Sequence, residues 1–423
     1  MKNSIRSLLA TAALAGFAAP SLAQLQEGEK PTEEQVKAGE APATRTFEGE
    51  LAIRSLQNPV MAPLWTREAA QELLAYVEGV GQEGLTPADY APDALRAALS
   101  GTDEMALRTA ATDSFLRLSS DLALGHVRGK GRIDWHMQDP DLDGNKQYAL
   151  MESAVRDNKV RATLDGLLPT HPQYAELKEV LAVTTDKAVA DKARANLERW
   201  RWLPRDLGPR YVIVNVPAFT AAIVENGQVT ARHRAVVGAV KTKTPQLSAV
   251  ATGVIFNPWW EVPASITPEV RGKAGYVAVK AGNGVRYRQP PGPGNALGRM
   301  KVVMPNNYAI YLHDTPSKQY FSRAARALSH GCIRTQDALG FARKLLDNPE
   351  WSQEKINRTI ASGKTAQAKT RVDTPVYIAY FTAAAAKDKG GIISYDDVYG
   401  RDKTVIAGLN DKAGNSMAAA ASK

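Results

Sequence analysis

The chain has 423 residues, with 53 Lys and Arg against 44 Asp and Glu, six His and one Cys. A single cysteine excludes a disulfide framework, and no dense basic run is interleaved with aromatics as a nucleic-acid surface would require. The formal charge of +9 suits an anionic partner, such as a cell-wall polymer or a membrane surface, or serves solubility alone.

Residues 1–23 read as a secretory signal peptide. Lys2 and Arg6 give a positive start, residues 7–20 an apolar stretch too short to span a bilayer, and Ser21-Leu22-Ala23 a small-x-small site cut after Ala23. Removing this leader leaves +7 and predicts an exported protein, in a periplasm, where spare cysteines tend to be paired or lost. Residues 24–45 are polar and predict a flexible linker.

Residues 46–200 carry a helical pattern. Thr66 is an N-cap ahead of Ala70, Leu73, Leu74 and Val77 on one face. Thr86-Pro87 reads as a cap with proline at the first helical position. Leu107, Ala111, Phe115, Leu118 and Leu122 form a stripe that stops at Gly125. Tyr174, Leu177 and Leu181 mark another helix, and Asp191 to Trp202 one more, with Trp200 and Trp202 at the domain junction. His126 and His136 sit in a Gly- and Asp-rich connector and read as loop histidines.

Residues 201–400 change texture and predict a β-rich domain, so the fold class is α+β. Segments 211–216, 219–225, 230–238, 250–256, 309–313 and 376–381 read as strands, with Asn226-Gly227 as a hairpin turn. Residues 264–300 are rich in Gly and Pro and too long for a plain connection. Gln336 to Leu346 is helical, with Leu339, Ala342, Leu345 and Leu346 on one side. Residues 401–423 read as a C-terminal tail.

The chemistry gathers at ALSHGCIRTQ, residues 327–336. A thiol attacks as thiolate, which an unperturbed pKa of about 8.5 keeps scarce at neutral pH, so Cys332 needs a base or a cation beside it. His330 is two residues away in sequence, and His313 stands at the end of a strand that can double back. His313 is the better-placed base, and His330 shapes the turn. Gly331 allows close backbone approach and an amide for an oxyanion. Arg334 is suited to a carboxylate, which a guanidinium fork meets bidentately.

His313, fifteen residues, then Ser329-His330-Gly331-Cys332-Ile333-Arg334 resembles the signature of the L,D-transpeptidase (YkuD-domain) family. Residues 197–219, 256–266, 288–298 and 308–316 resemble other parts of the large Gram-negative members, and PLW and GLTPADY resemble their helical scaffold domain. The resemblance implies a scaffold domain over 46–200, a catalytic domain over 201–400 and a capping segment, here short, over about 264–300. It implies acyl transfer between peptidoglycan stem peptides: Cys332 as nucleophile, His313 as general base and acid, Gly331 in the turn beside the oxyanion, and Ser329 and His330 holding the loop. Tyr308 and Arg288 match positions near the cleft. Trp259 and Trp260 line the donor groove or pack in the core. Arg271, Lys273 and Lys280 make the cap basic, and Arg323 and Arg326 add charge before the nucleophile. No cofactor or metal is implied, and a monomer is expected.

One departure from the large members matters. They often insert a small peptidoglycan-binding domain between scaffold and catalysis, and the fifteen or so residues available here do not hold one. The resemblance implies a 3–3 link between diamino acids as the product or, as in some relatives lacking that domain, a 1–3 link from L-alanine. The same site also suits lipoprotein attachment or L,D-carboxypeptidase hydrolysis, and a non-catalytic wall-binding scaffold is the reading from another class.

Overall fold

The computed structural model describes residues 63–138, 141–282, 284–386 and 391–411. The leader, the linker and residues 412–423 of the expected tail lie outside the described residues.

The first part is helical: α1 (Arg67–Gly79), α2 (Pro92–Ser100), α3 (Glu104–Leu124), α4 (Gly144–Arg156), α5 (Val160–Asp165), α6 (Pro172–Val183) and α7 (Lys187–Arg201). Thr66 caps α1 by accepting from the Ala69 amide at 3.1 Å, which satisfies one orphan donor of the first turn. Leu107, Ala111, Phe115, Leu118 and Leu122 of α3 are all buried in the helical core. The stripe stops at Gly125, whose φ is +82°, and a Cβ there would meet Glu198 and Trp202 at 2.6 Å. The expectation at Thr86-Pro87 needs correcting. Pro87–Tyr90 makes only a 3₁₀ turn without a side-chain cap, Ala91 turns left-handed, and the α-helix begins at Pro92.

Eight strands close into a barrel: β1 (Arg210–Asn215), β2 (Thr220–Glu225), β3 (Gln228–Gly238), β4 (Gln246–Phe256), β5 (Met300–Val303), β6 (Leu312–His313), β7 (Ile333–Thr335) and β8 (Ala366–Ala379). Their order is β4-β8-β1-β2-β3-β7-β6-β5, and β5 returns to β4. Closure leaves no edge among these strands. Asn226 and Gly227 both take positive φ, +48° and +75°, as the β2–β3 hairpin turn requires. The predicted strand 309–313 is short: only Leu312 and His313 pair. The core inside holds Val212, Val254, Phe256, Leu312 and Ile333, closed by Leu339, Ala342, Leu345 and Leu346 of helix α8 (Ala338–Leu346). The sequence led to one helix after the cysteine; the structure adds α9 (Gln353–Ala361) and α10 (Asp402–Asn410).

Residues 264–300 are not an irregular excursion. Val277–Ala281 and Gly284–Gln289 pair as a hairpin, and the second strand pairs with Trp260–Glu261. This cap has its own small core of Trp260, Val262, Val270 and Leu297.

The helical part and the barrel share a third core. Tyr174, Leu177, Leu197 and Trp200 pack with Tyr211, Tyr377 and Phe381, so Trp200 lies at the junction, while Trp202 belongs to the helical core. Trp135–His136, from the connector, extends β4 by a parallel pairing. Helix α10, expected as tail, buries Val405 and Leu409 in the helical core. Two apolar residues four apart on one face are a helix signal too short to stand out beside the polar residues that follow.

Glu198 and Arg201 form a fully buried ion pair at 2.8 Å. Glu198 also accepts from the Val127 amide and the Trp202 indole. Burial works against its charge, but Arg201 and these donors hold its pKa down to about 2. Glu198→Ala should cost about 3–5 kcal/mol, since it leaves Arg201 buried and unpaired, read as a shift of the urea midpoint. A loss under ~1 kcal/mol, the worth of an exposed pair, would show that the pair does not hold this layer.

Candidate active site

The parallel pairing of β6 with β7 sets Leu312 beside Ile333 and His313 beside Arg334. Leu312 and Ile333 enter the barrel core. Strand alternation then puts His313 and Arg334 on the opposite side, while Cys332, just before β7, packs partly buried against the core. The nucleophile loop is held by its own motif. Ser329 Oγ donates to the Cys332 carbonyl at 2.6 Å and accepts the Gly331 amide at 3.1 Å. Gly331 sits at φ +116°, and a Cβ there would press on Ile310 at 3.2 Å. Because the Gly331 N–H is taken by Ser329, the amide this turn offers an oxyanion is that of Cys332.

His313 is 5 % exposed. Its Nδ1 lies 2.5 Å from the Asp314 carbonyl oxygen. A carbonyl only accepts, so Nδ1 carries the proton and Nε2 is left as the basic atom. Burial, then the charge of Arg334, pushes the imidazole down to about 3, which keeps it neutral. Asp314 is itself fixed. Its carboxylate accepts the Arg299 amide at 2.9 Å and pairs with Arg299 and Lys318.

The half-buried Cys332 thiol donates toward the Ala309 carbonyl at 3.5 Å. Burial pushes the thiol up, against the pull of the Tyr311 amide, Lys301, the Tyr311 hydroxyl and Arg334. The Tyr311 hydroxyl neighbours both the sulfur and the Trp260 indole. Lys301 pairs across from His313 in the sheet and lies 4.8 Å over the Tyr311 ring. Thiol and imidazole thus rest neutral, with two cations near the sulfur.

The remaining residues named from sequence are distributed. Arg334 lies 5.7 Å from the Tyr320 ring, and its buried Nε has no hydrogen-bond partner. His330 is exposed and faces Glu269 of the cap at 3.3 Å. Tyr308, one residue before Ala309, stacks on His136 at 4.2 Å. Arg288 is committed to the cap: it pairs with Glu261 at 2.9 Å and lies 4.2 Å over Trp259. Trp259 stays 38 % exposed, whereas Trp260 is buried in the cap's core. Arg271, Lys273 and Lys280 are exposed on the cap. Arg326 instead donates to the carbonyls of Ala235, Phe219 and Arg323. Sequence reasoning missed Tyr311, Lys301 and Asp314 as parts of the site. Tyr311 and Asp314 flank His313 by one or two residues, which was a usable signal; Lys301 is brought in only by strand pairing.

A thiol at the start of one strand and a neutral, oriented imidazole on the strand paired with it make a candidate acyl-transfer site with a covalent step. Residues 209–378 match the family YkuD, described as the L,D-transpeptidase catalytic domain, and residues 57–181 match the family described as the scaffold domain. The chain thus carries a YkuD-type L,D-transpeptidase catalytic domain behind an N-terminal scaffold domain. It is 28 % identical over 309 residues to a Haemophilus influenzae protein named "Putative L,D-transpeptidase", covering 65 % of this chain and 62 % of that one. The match therefore spans less than two thirds of that relative's length. Among solved structures, an L,D-transpeptidase from Mycobacterium smegmatis is similar at 15 % identity, over 40 % of this chain and 58 % of that one, with a TM-score of 0.22. L,D-transpeptidase 3 from Mycobacterium tuberculosis is similar at 13 %, over 40 % and 60 %, with a TM-score of 0.23.

A raised thiol and an imidazole held at about 3 have a measurable signature. Above that value His313 is neutral and offers no imidazolium to draw out a thiolate, and the raised thiol stays protonated near neutrality. Alkylation of Cys332 by iodoacetamide should be slow across about pH 5–7 and climb toward and beyond pH ~9. A fast plateau at acid pH, the mark of a preformed ion pair, would contradict this arrangement.

Proposed function

We propose that the protein is a periplasmic L,D-transpeptidase that joins peptidoglycan stem peptides through a thioester on Cys332. The observation that carries this reading is the β6–β7 register, which sets a buried, neutral His313 beside the strand that begins at the thiol. The family match supports the class of reaction, and the leader of residues 1–23 supports export.

In the first half-reaction, the Cys332 proton passes to His313 Nε2 as sulfur attacks the donor carbonyl. Charge develops on the carbonyl oxygen, which the Cys332 amide is placed to meet. The carbon–nitrogen bond breaks, His313 returns the proton to the departing amine, and a thioester remains. In the second half-reaction, the acceptor amine gives its proton to His313, attacks the thioester and releases the thiol. No external energy source enters, because the thioester conserves the broken peptide bond. Arg334, with its unpartnered buried Nε, is positioned for a stem carboxylate. The cap, tied to the nucleophile loop through Glu269 and His330, shields the thioester from water and so favours transfer over hydrolysis. Helices α6 and α7 are joined by only three residues, so no binding domain intervenes between them. Wall recognition then falls to the cleft, the scaffold domain and the basic surface.

The direct test is incubation with purified disaccharide-tetrapeptides and fragmentation of any dimer by mass spectrometry. A dimer lacking one D-alanine and joined between diamino acids is the 3–3 product. One that has lost the donor stem beyond L-alanine is the 1–3 product. Tripeptides alone would replace transfer by hydrolysis, and an unchanged substrate would sink the reading.

Two variants sharpen it. Cys332→Ala should keep the fold and lose all turnover above background, and His313→Gln should lower the rate by ~10²–10⁴-fold, the usual worth of a general base. A carbapenem should add its mass to the native protein at Cys332 and not to Cys332→Ala. Equal adducts on both proteins would remove Cys332 from the nucleophile role.

A further inference from the structure

The matched catalytic domain ends at residue 378, yet a side chain well beyond it is built into the support of the nucleophile loop. Tyr399 is 7 % exposed. Its hydroxyl donates to the Gly238 carbonyl at 2.6 Å and accepts the Thr244 amide at 3.1 Å. Thr244, fully buried, donates through Oγ1 to the Gly331 carbonyl at 2.7 Å and accepts the Gly238 amide at 2.8 Å. Thr242 adds a bond to the Ser329 carbonyl at 2.8 Å, as does the Ala239 amide. The loop 238–244 is thus a cradle under residues 329–331. It wraps tightly, because a Cβ on Gly238 would meet the Thr242 carbonyl at 2.2 Å.

The Thr244 bond has a geometric consequence. The Gly331–Cys332 peptide is planar and trans, so its C=O and N–H point in opposite directions. Pinning the Gly331 carbonyl to Thr244 therefore aims the Cys332 N–H away from the cradle. That N–H is the oxyanion donor of the reaction above. A rotation of this one peptide plane would misdirect the donor and leave the sulfur in place.

The C-terminal segment is anchored firmly enough to set that plane. The Tyr399 amide donates to the Tyr380 hydroxyl at 2.7 Å, and the two rings stack at 5.6 Å. The Tyr380 hydroxyl donates to Asp397 at 2.6 Å, and Asp397 also accepts the Arg401 amide at 2.8 Å. The Arg401 guanidinium lies 4.7 Å and 5.1 Å over the two rings and pairs with Asp134 of the connector at 2.6 Å. Asp402 then pairs with Arg199 at 2.6 Å, where α10 joins the helical core.

We propose that Thr244 and Tyr399 are positioning residues for acyl transfer: they fix the Gly331–Cys332 peptide plane and so orient the oxyanion donor. The inference rests on Cys332 being the acylated nucleophile. It requires two rates to separate. Carbapenem acylation passes through an oxyanion: sulfur bonds the lactam carbon, the C–N bond opens and the nitrogen takes a proton. Alkylation by iodoacetamide displaces iodide from carbon and forms no oxyanion.

The experiment measures both rates at one pH on the native protein, Thr244→Val, Thr244→Ser and Tyr399→Phe, with a melting curve for each. Thr244→Val and Tyr399→Phe should acylate about 10–100-fold more slowly, somewhat less than the effect of deleting an oxyanion donor outright. Their alkylation rates should stay within about threefold of native, since the sulfur is not displaced. Thr244→Ser keeps the hydroxyl and should restore native acylation. Equal loss in both rates would mean that the variants disturb the thiol itself, and native acylation in both would show that the plane needs no such support; either overturns the inference. If the native protein alkylates but is not acylated, the reading of the site falls and takes this inference with it. If the native protein acylates and the variants match it, only the positioning role falls.

Discussion

The pairing of two very short strands, Leu312–His313 against Ile333–Thr335, is the constraint on which the rest of the site depends. Two paired residues would not hold a register alone, because so few bonds do not offset the ordering entropy. The register is imposed from outside. Leu312 and Ile333 are both fully buried in the barrel core, and a slip by one residue would send them to the far face. Neighbours on both sides reinforce it: β5 pairs His313 with Lys301, and β3 pairs Arg334 with Val236. The apolar side of each strand thus fixes where its chemical side points.

Burial that secures the register also sets the electrostatics. Desolvation drives His313 down and Cys332 up, so each resists charge in the resting enzyme. Lys301 and Arg334 favour a thiolate but oppose an imidazolium, which is why they do not by themselves create an ion pair. In the proposed reaction, proton transfer then accompanies attack rather than preceding it. This has a use: a thiol that is neutral until a carbonyl arrives is a poor target for oxidants. The Asp314 carbonyl bears the task of orienting the ring, and it can do so without charge because Arg299 and Lys318 fix the Asp314 side chain.

Local pattern carried much of this into the sequence. The α3 stripe and the Asn226-Gly227 turn are legible because their signals lie within a few residues. The spacing from His313 to Ser329-His330-Gly331-Cys332 is legible for the same reason: motif residues act through one loop. What was not legible comes from closure. Lys301 meets Tyr311 only because β5 lies beside β6, and Thr244 meets Gly331 across 87 positions. The cap hairpin was hidden by its exposed, weakly alternating strands, Val277–Ala281 and Gly284–Gln289, whose pairing replaces hydrophobic burial as the organising signal. At Pro87 the local rule was overridden by the left-handed Ala91, which delays the helix.

The C-terminal segment shows why domain boundaries drawn along the chain divide this molecule poorly. Residues 395–410 complete the barrel's loop support at Tyr399 and the helical core at Val405 and Leu409. The ion pairs Arg401–Asp134 and Arg199–Asp402 hold the span between them. Both guanidiniums are nearly inaccessible, so loss of either carboxylate would strand a buried charge. The helical layer and the barrel are therefore coupled through buried charge as well as through the shared core of Trp200, Tyr211, Tyr377 and Phe381. A scaffold joined in this way does more than carry the catalytic domain: Asp134 and Arg199 are linked by ion pairs, hydrogen bonds and stacked rings to the carbonyl of Gly331.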